Sequence, residues 1–147
     1  MITVLCFGTF DGIHPGHDDF FRQARSLGER VVVVIARDAT VLDLKGQLPA
    51  NGEEERRRMV ARHRHVDEAV LGDYEDKYAV ITQIKPNVIL LGYDQEHFTE
   101  HLEEKLPGLG VCAKVFRGEP FEPERWKTSL LREAPVVEED MEVGLPL

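Results

Sequence analysis

Five apolar, β-branched runs mark the chain: Ile2–Phe7, Val31–Ala36, Val66–Leu71, Val88–Leu91 and Val111–Phe116. Each is continuous rather than alternating, the pattern of a strand covered on both faces, as in a parallel sheet. The segments between them carry helical patterning: Gly16–Leu27, closed by Gly28; Glu53–His63; Glu75–Ile84, closed near Pro86; and Glu96–Leu106, followed by Pro107 and Gly108. The order β-α-β-α-β-α-β-α-β predicts an α/β fold, an open, Rossmann-like, doubly wound sheet of five mainly parallel strands joined by right-handed crossovers. Ligands of such sheets bind beyond the C-terminal strand ends, where strand order reverses. The segments that matter are then Gly8–Gly16, Arg37–Gly52, Gly72–Asp76 and Gly92–Gln95, all read as loops.

At 147 residues the chain has material for one core. A single domain over residues 1–132 is expected, and the closing "EAPVVEEDMEVGLPL" (133–147), acidic and aperiodic, reads as a tail. Against 27 Asp and Glu stand 18 Lys and Arg, a net charge of −9, which repels a phosphate backbone and argues against nucleic-acid binding. A phosphate site must therefore be local. The two cysteines, Cys6 and Cys112, fall in apolar runs and read as two buried thiols, with no disulfide framework or zinc motif. No apolar run approaches the length that crosses a bilayer, and no leader-like segment opens the chain, so a cytoplasmic location without membrane association is the default expectation.

The densest chemistry lies in "GTFDGIHPGHDDF", Gly8–Phe20, between the first strand and the first helix. Gly8 lets the chain turn at the strand end, and Gly12 and Gly16 let backbone approach a ligand closely. Pro15 suits the first helical position, where its missing N–H costs nothing. The helix N-terminus that follows favours an anion through its amides and its dipole. His14 and His17, three residues apart, can then face the same anion as a phosphate clamp.

Residues Gly8, Thr9, Phe10, Asp11, Gly12, His14, Pro15, Gly16 and His17 resemble the G-x-F-D-x-x-H-x-G-H signature of cytidylyltransferase-like nucleotidyltransferases, the HIGH-superfamily type of this fold. "ARDATVLDLKG", "EEERRRMVARHRHVDEAVLG" and "KPNVILLGYDQ" follow in the order and spacing of that family, and Gly92-Tyr93-Asp94-Gln95 is most similar to the archaeal-type FAD synthases, which move AMP from ATP to FMN. The resemblance implies in-line attack by a substrate phosphate oxygen on the α-phosphorus of a nucleoside triphosphate, with pyrophosphate leaving and no covalent enzyme intermediate. It makes His14, His17 and Lys45 the catalytic residues. It assigns nucleotide binding to Gly8, Thr9, Phe10, Asp11, His14, Pro15, Gly16, His17, Gly92, Tyr93, Asp94, Thr128 and Ser129. Asp11 is open between orienting a histidine, helping hold magnesium and capping the turn. Lys45, on the loop after the second strand, would swing onto the triphosphate; the second basic residue relatives often carry nearby is replaced by Gln47 and Leu48. Tyr93 would stack on a ring and Asp94 accept hydrogen bonds.

Arg56 and Arg64 match family positions near the phosphates and are read as structural or supporting, within a run that otherwise pairs locally with glutamates. His63 and His65, and His97 and His101, have no clear third ligand and read as surface histidines. The R-T-x-G lead-in of glycerol-phosphate cytidylyltransferases is absent, which leaves Arg117, Phe121, Arg125 and Trp126 unassigned toward substrate. Three readings follow: transfer of AMP from ATP to FMN; a cytidylyltransferase using CTP and a small polyol phosphate; and a nucleotide-binding protein without activity. Mg2+ is expected with the triphosphate, its metal-holding residues unknown, and a homodimer is expected by analogy.

Overall fold

The computed structural model describes residues 1–76, 78–92, 95 and 102–120. Its elements run β1 (Thr3–Gly8), α1 (Pro15–Leu27), β2 (Arg30–Ile35), α2 (Asp38–Lys45), α3 (Glu53–Ala61), β3 (Glu68–Leu71), α4 (Ala79–Ile84), β4 (Val88–Leu91), α5 (Leu102–Lys105), a 3-10 turn at Pro107–Leu109, and β5 (Lys114–Arg117). The five strands form one sheet in the order β3-β2-β1-β4-β5, with every pairing parallel. The chain walks outward from β1 to β3, then returns to place β4 on the other side of β1. The strand order therefore reverses between β1 and β4.

The continuous runs do bury both faces of the central strands. Val4 and Cys6 of β1 join Val31, Val33 and Ile35 of β2 beneath Phe21 and Ala24 of α1 and Val60 of α3. The alternate residues Leu5 and Phe7, with Val32 and Val34, meet Val80, Ile81, Leu102 and Leu106 on the opposite face. Burying each such side chain contributes roughly 1.5–3 kcal/mol, so these two layers dominate the fold's stability.

Four sequence expectations need correction. The segment after β2 is not loop throughout: residues 38–45 form α2, closed by Gly46 in the left-handed region at φ 79°. The last strand begins at Lys114 rather than Val111 and is a largely exposed edge, while Val111 serves the core from outside it. Cys6 is buried and its thiol is pushed far up by burial, but Cys112 is exposed. His63 is not a surface residue, its side chain being 10% exposed with Nε2 2.8 Å from Asp18 Oδ1, and His65 is half-buried. The His65 N–H donates to His63 Nδ1, which leaves the His63 proton on Nε2, facing that carboxylate.

Candidate active site

The site is built where β1 gives way to α1. Gly8 is the last residue of β1, paired with Ile35, so its role is not a turn at the strand end. A Cβ there would lie 2.5 Å from the Phe10 ring, which folds back over it. Phe10 takes φ 53°, uncommon for a side-chain-bearing residue and costing about 1–2 kcal/mol. In that conformation its ring is buried and stands edge-on to His17 and tilted against Phe21, centroids 5.1 Å apart in both cases. Gly12, at φ 104° with open space around its α-carbon, is needed for its conformation alone.

Helix α1 starts at Pro15 with His14 as its N-cap, and the Gly16 N–H donates to His14 Nδ1 at 3.0 Å. His14 therefore carries its ring proton on Nε2, from an exposed side chain. The His14 and His17 rings stack, centroids 3.7 Å apart and 21° from parallel. Burial and the neighbouring His14 press the His17 pKa down to about 4. At neutral pH His17 is thus an uncharged imidazole, and its Nδ1 is buried without a partner among the described residues. The pair offers polar N–H groups at a positive helix end rather than two fixed cations.

Asp11 neither orients a histidine nor caps its own turn. Its Oδ2 accepts from the Ala50 N–H at 2.7 Å, and its Oδ1 from the Asn51 N–H and the Asn51 side-chain amide at 2.9 Å. These donors, Ala50 first, hold its carboxyl below the usual range. Beneath this clasp lies Arg56, fully buried, whose Nε donates to the Asn51 carbonyl at 2.9 Å. Its Nη1 reaches the Thr9 and Ala36 carbonyls at 2.9 and 2.8 Å, and its Nη2 the Asp38 carboxylate at 2.7 Å. One guanidinium thus ties together the ends of β1 and β2 and the approach to α3.

Lys45 is the last residue of α2, exposed and without an ion pair among the described residues, not on the loop where the sequence placed it. Gly92 follows β4, whose Leu90 pairs with Cys6; continuing that register by two residues brings Gly92 level with Gly8. Its N–H donates to the Gln95 side chain at 2.6 Å, and Arg117 Nη1 donates to the Gly92 and Gln95 carbonyls at 2.7 and 2.6 Å. Arg117, unassigned from sequence, holds this turn. Tyr93, Asp94, Thr128 and Ser129, like Phe121, Arg125, Trp126, His97, His101 and the 133–147 tail, lie outside the described residues. Among the described residues no three His, Cys, Asp or Glu side chains converge as a metal site, and no helix is long and apolar enough to cross a membrane.

The model of the cytidylyltransferase-like family matches residues 5–134. An FAD synthase of Aciduliprofundum boonei is 44% identical over 117 residues, 80% of this chain and 78% of that protein. One from Ferroglobus placidus is 47% identical over the same length, 76% of its own. The chain belongs to the cytidylyltransferase-like family, among its FAD synthases. Among solved structures, a protein described as a lipopolysaccharide core biosynthesis protein of Thermoplasma volcanium matches this family member with a TM-score of 0.79 and 34% identity, over 83% of this chain and 99% of its own. An Archaeoglobus fulgidus protein of unknown function shares the fold at a TM-score of 0.66 and 17% identity, over 80% and 90% of the two chains.

Proposed function

We infer that this FAD synthase family member transfers AMP from ATP to FMN, giving FAD and pyrophosphate. The observation that carries the site assignment is the stacked His14–His17 pair at the N-terminus of α1, one strand end away from the β1–β4 reversal. An oxygen of the FMN phosphate, already ionised at neutral pH, forms the new bond to the α-phosphorus of ATP. The bond from that phosphorus to the bridging oxygen breaks, and pyrophosphate leaves with the electron pair. No general base is needed, so the protein's work is alignment and stabilisation of charge on the phosphoryl oxygens. The Nε2–H of His14 and the ring of His17 supply fixed donors, and the helix end supplies a favourable potential. Gly8, Thr9, Phe10, Pro15 and Gly16 shape the loop that carries them. Gly92 borders the crevice where the nucleoside lies, and Lys45 screens the triphosphate.

The described donors do not make a protein cage for magnesium, since the Asp11 carboxylate already serves the Ala50–Asn51 amides. Magnesium accordingly enters as part of the substrate, MgATP, and no step is assigned to it. The test is to supply the purified full chain with magnesium and ATP or CTP, each with FMN or glycerol 3-phosphate, and to follow pyrophosphate and FAD. FAD from ATP is the expected product. Turnover with CTP alone would replace this reading with a cytidylyltransferase, and nucleotide binding without turnover would leave a non-catalytic binder.

A further inference from the structure

Helix α2 and the turn after it expose three leucines within seven residues: Leu42 (44%), Leu44 (50%) and Leu48 (61%). Only Val41 of the helix is buried. Large apolar side chains clustered at this exposure on an acidic protein mark a contact surface. The Asp11 clasp sets its position. Leu48 is two residues before Ala50, and Ile13, 37% exposed, is two residues after Asp11, with Ala50 N and Asp11 Oδ2 only 2.7 Å apart. Two residues of chain span at most ~7 Å, so Ile13 and Leu48 each lie close to the clasp, and His14 follows Ile13 directly.

We propose that Ile13 and Leu48 form the lip that seats the flat isoalloxazine ring of FMN, setting acceptor specificity. The proposal rests on the FMN reading above and adds to it the residues that recognise the ring. The crevice between β1 and β4 is the place for the nucleoside, so the acceptor approaches over the β2 side of the His14–His17 pair, where the lip lies. The surface is amphipathic in the required sense: exposed Lys45, three residues before Leu48, complements a phosphate, and the two aliphatic side chains complement an apolar aromatic face. A small polyol phosphate has no apolar surface to gain from them. Because both side chains are exposed, changing them does not disturb the core.

The test compares the wild-type chain with Ile13→Ser, Leu48→Ser, the double variant and Leu48→Met, measuring KM for FMN and for ATP separately, with a thermal melt for each. Each serine is expected to raise the FMN KM by about tenfold, since an aliphatic side chain loses its contact with the ring. The KM for ATP should stay within about twofold, and Leu48→Met should restore FMN affinity. A double variant that melts like wild type yet keeps its FMN KM overturns the proposal, as does a parallel rise in both KM values. Sedimentation separates the remaining occupant: a wild-type dimer that dissociates in the double variant with FMN KM unchanged makes the lip a contact between copies and overturns the proposal. Wild-type protein that makes no FAD from ATP and FMN removes the functional reading and this proposal together, whereas active wild type with unmoved variants removes this proposal alone.

Discussion

Replacing Arg56 by Met keeps much of the side chain's bulk and removes a fully buried cation together with its bonds to the carbonyls of Thr9, Ala36 and Asn51 and to Asp38. The Asp38 side chain is 37% exposed, so it can regain water and its share of the loss is modest. The three carbonyls, whose bonds to Arg56 are part-buried, weigh more, because an enclosed acceptor left without a donor costs about 1–3 kcal/mol. Some relaxation and entering water will reduce their sum, giving about 3–5 kcal/mol. That is a large part of the roughly 5–15 kcal/mol that holds a typical domain folded. Arg56→Lys keeps the charge but not the fork that spans four acceptors, so an intermediate loss is expected. Urea unfolding at pH 7, with midpoint and slope compared against Arg57→Ala, measures this: Arg57 is a neighbour paired to Glu54 on the surface. If Arg56→Met costs less than about 1 kcal/mol, or no more than Arg57→Ala, the keystone role is wrong.

His17→Ala should lower turnover on the order of a hundredfold with little change in far-ultraviolet circular dichroism, because it deletes one fixed donor at the phosphoryl group; near-wild-type kcat would remove His17 from the mechanism. Gly8→Ala forces a Cβ to within 2.5 Å of the Phe10 ring, so Phe10 must leave its place against His17 at a cost of about 1–3 kcal/mol, read as a lower urea midpoint with reduced activity; an unchanged midpoint would show that the ring has room. In acid, His17 at about 4 in the folded protein against 6.5 unfolded means that the unfolded chain binds the extra proton between those values. Stability is therefore full above pH 6.5 and falls as pH drops toward 4. His65, also lowered by burial, adds in the same direction, and Asp67 and Asp11, both lowered from 3.8, add a further loss as pH falls through and below that value. Urea midpoints of wild type and His17→Phe at pH 7 and pH 5 check this, the variant losing less; identical slopes would contradict the assignment to His17.

What could be read from the sequence follows the range of the forces involved. β1, β2 and β4 were legible because both their faces are buried, which makes an unbroken apolar run. α1 announced itself through Pro15 and Gly28. α2 did not, because the apolar residues of 38–45 match no helical stripe and only Val41 is buried, although Asp38 in its first turn, Lys45 in its last and Gly46 beyond it are helix-end signals. β5 was misplaced because an edge strand covers neither face fully, while the apolar Val111 just before it answers to the core. Arg56, set apart from its two neighbours by the family resemblance, also carried a local signal: within α3 it shares the inward face with Val60, four residues on. The Asp18–His63 bond had no local signal, since 45 residues separate the partners.

The first loop also shows why a motif's spacing outruns the detail it predicts. Reading Gly8–Gly16 as glycine-lubricated backbone around open amides leaves out what the free protein does with those groups. The Gly16 amide is taken by His14 Nδ1, and the His17 and Asp18 amides by the His14 carbonyl at 2.9 and 3.1 Å. The helix end is thus capped by its own histidine before any phosphate arrives. A phosphate bound there as proposed would gain little from displacing those bonds and more from the Nε2–H that the cap itself creates, because the proton is on Nε2 only while Nδ1 accepts from Gly16. The cap and the Phe10 ring against His17 set the direction in which the two imidazoles present their nitrogens, while the Asp11 clasp ties the loop to Ala50 and Asn51. Arg56 fixes the strand ends on which all three depend.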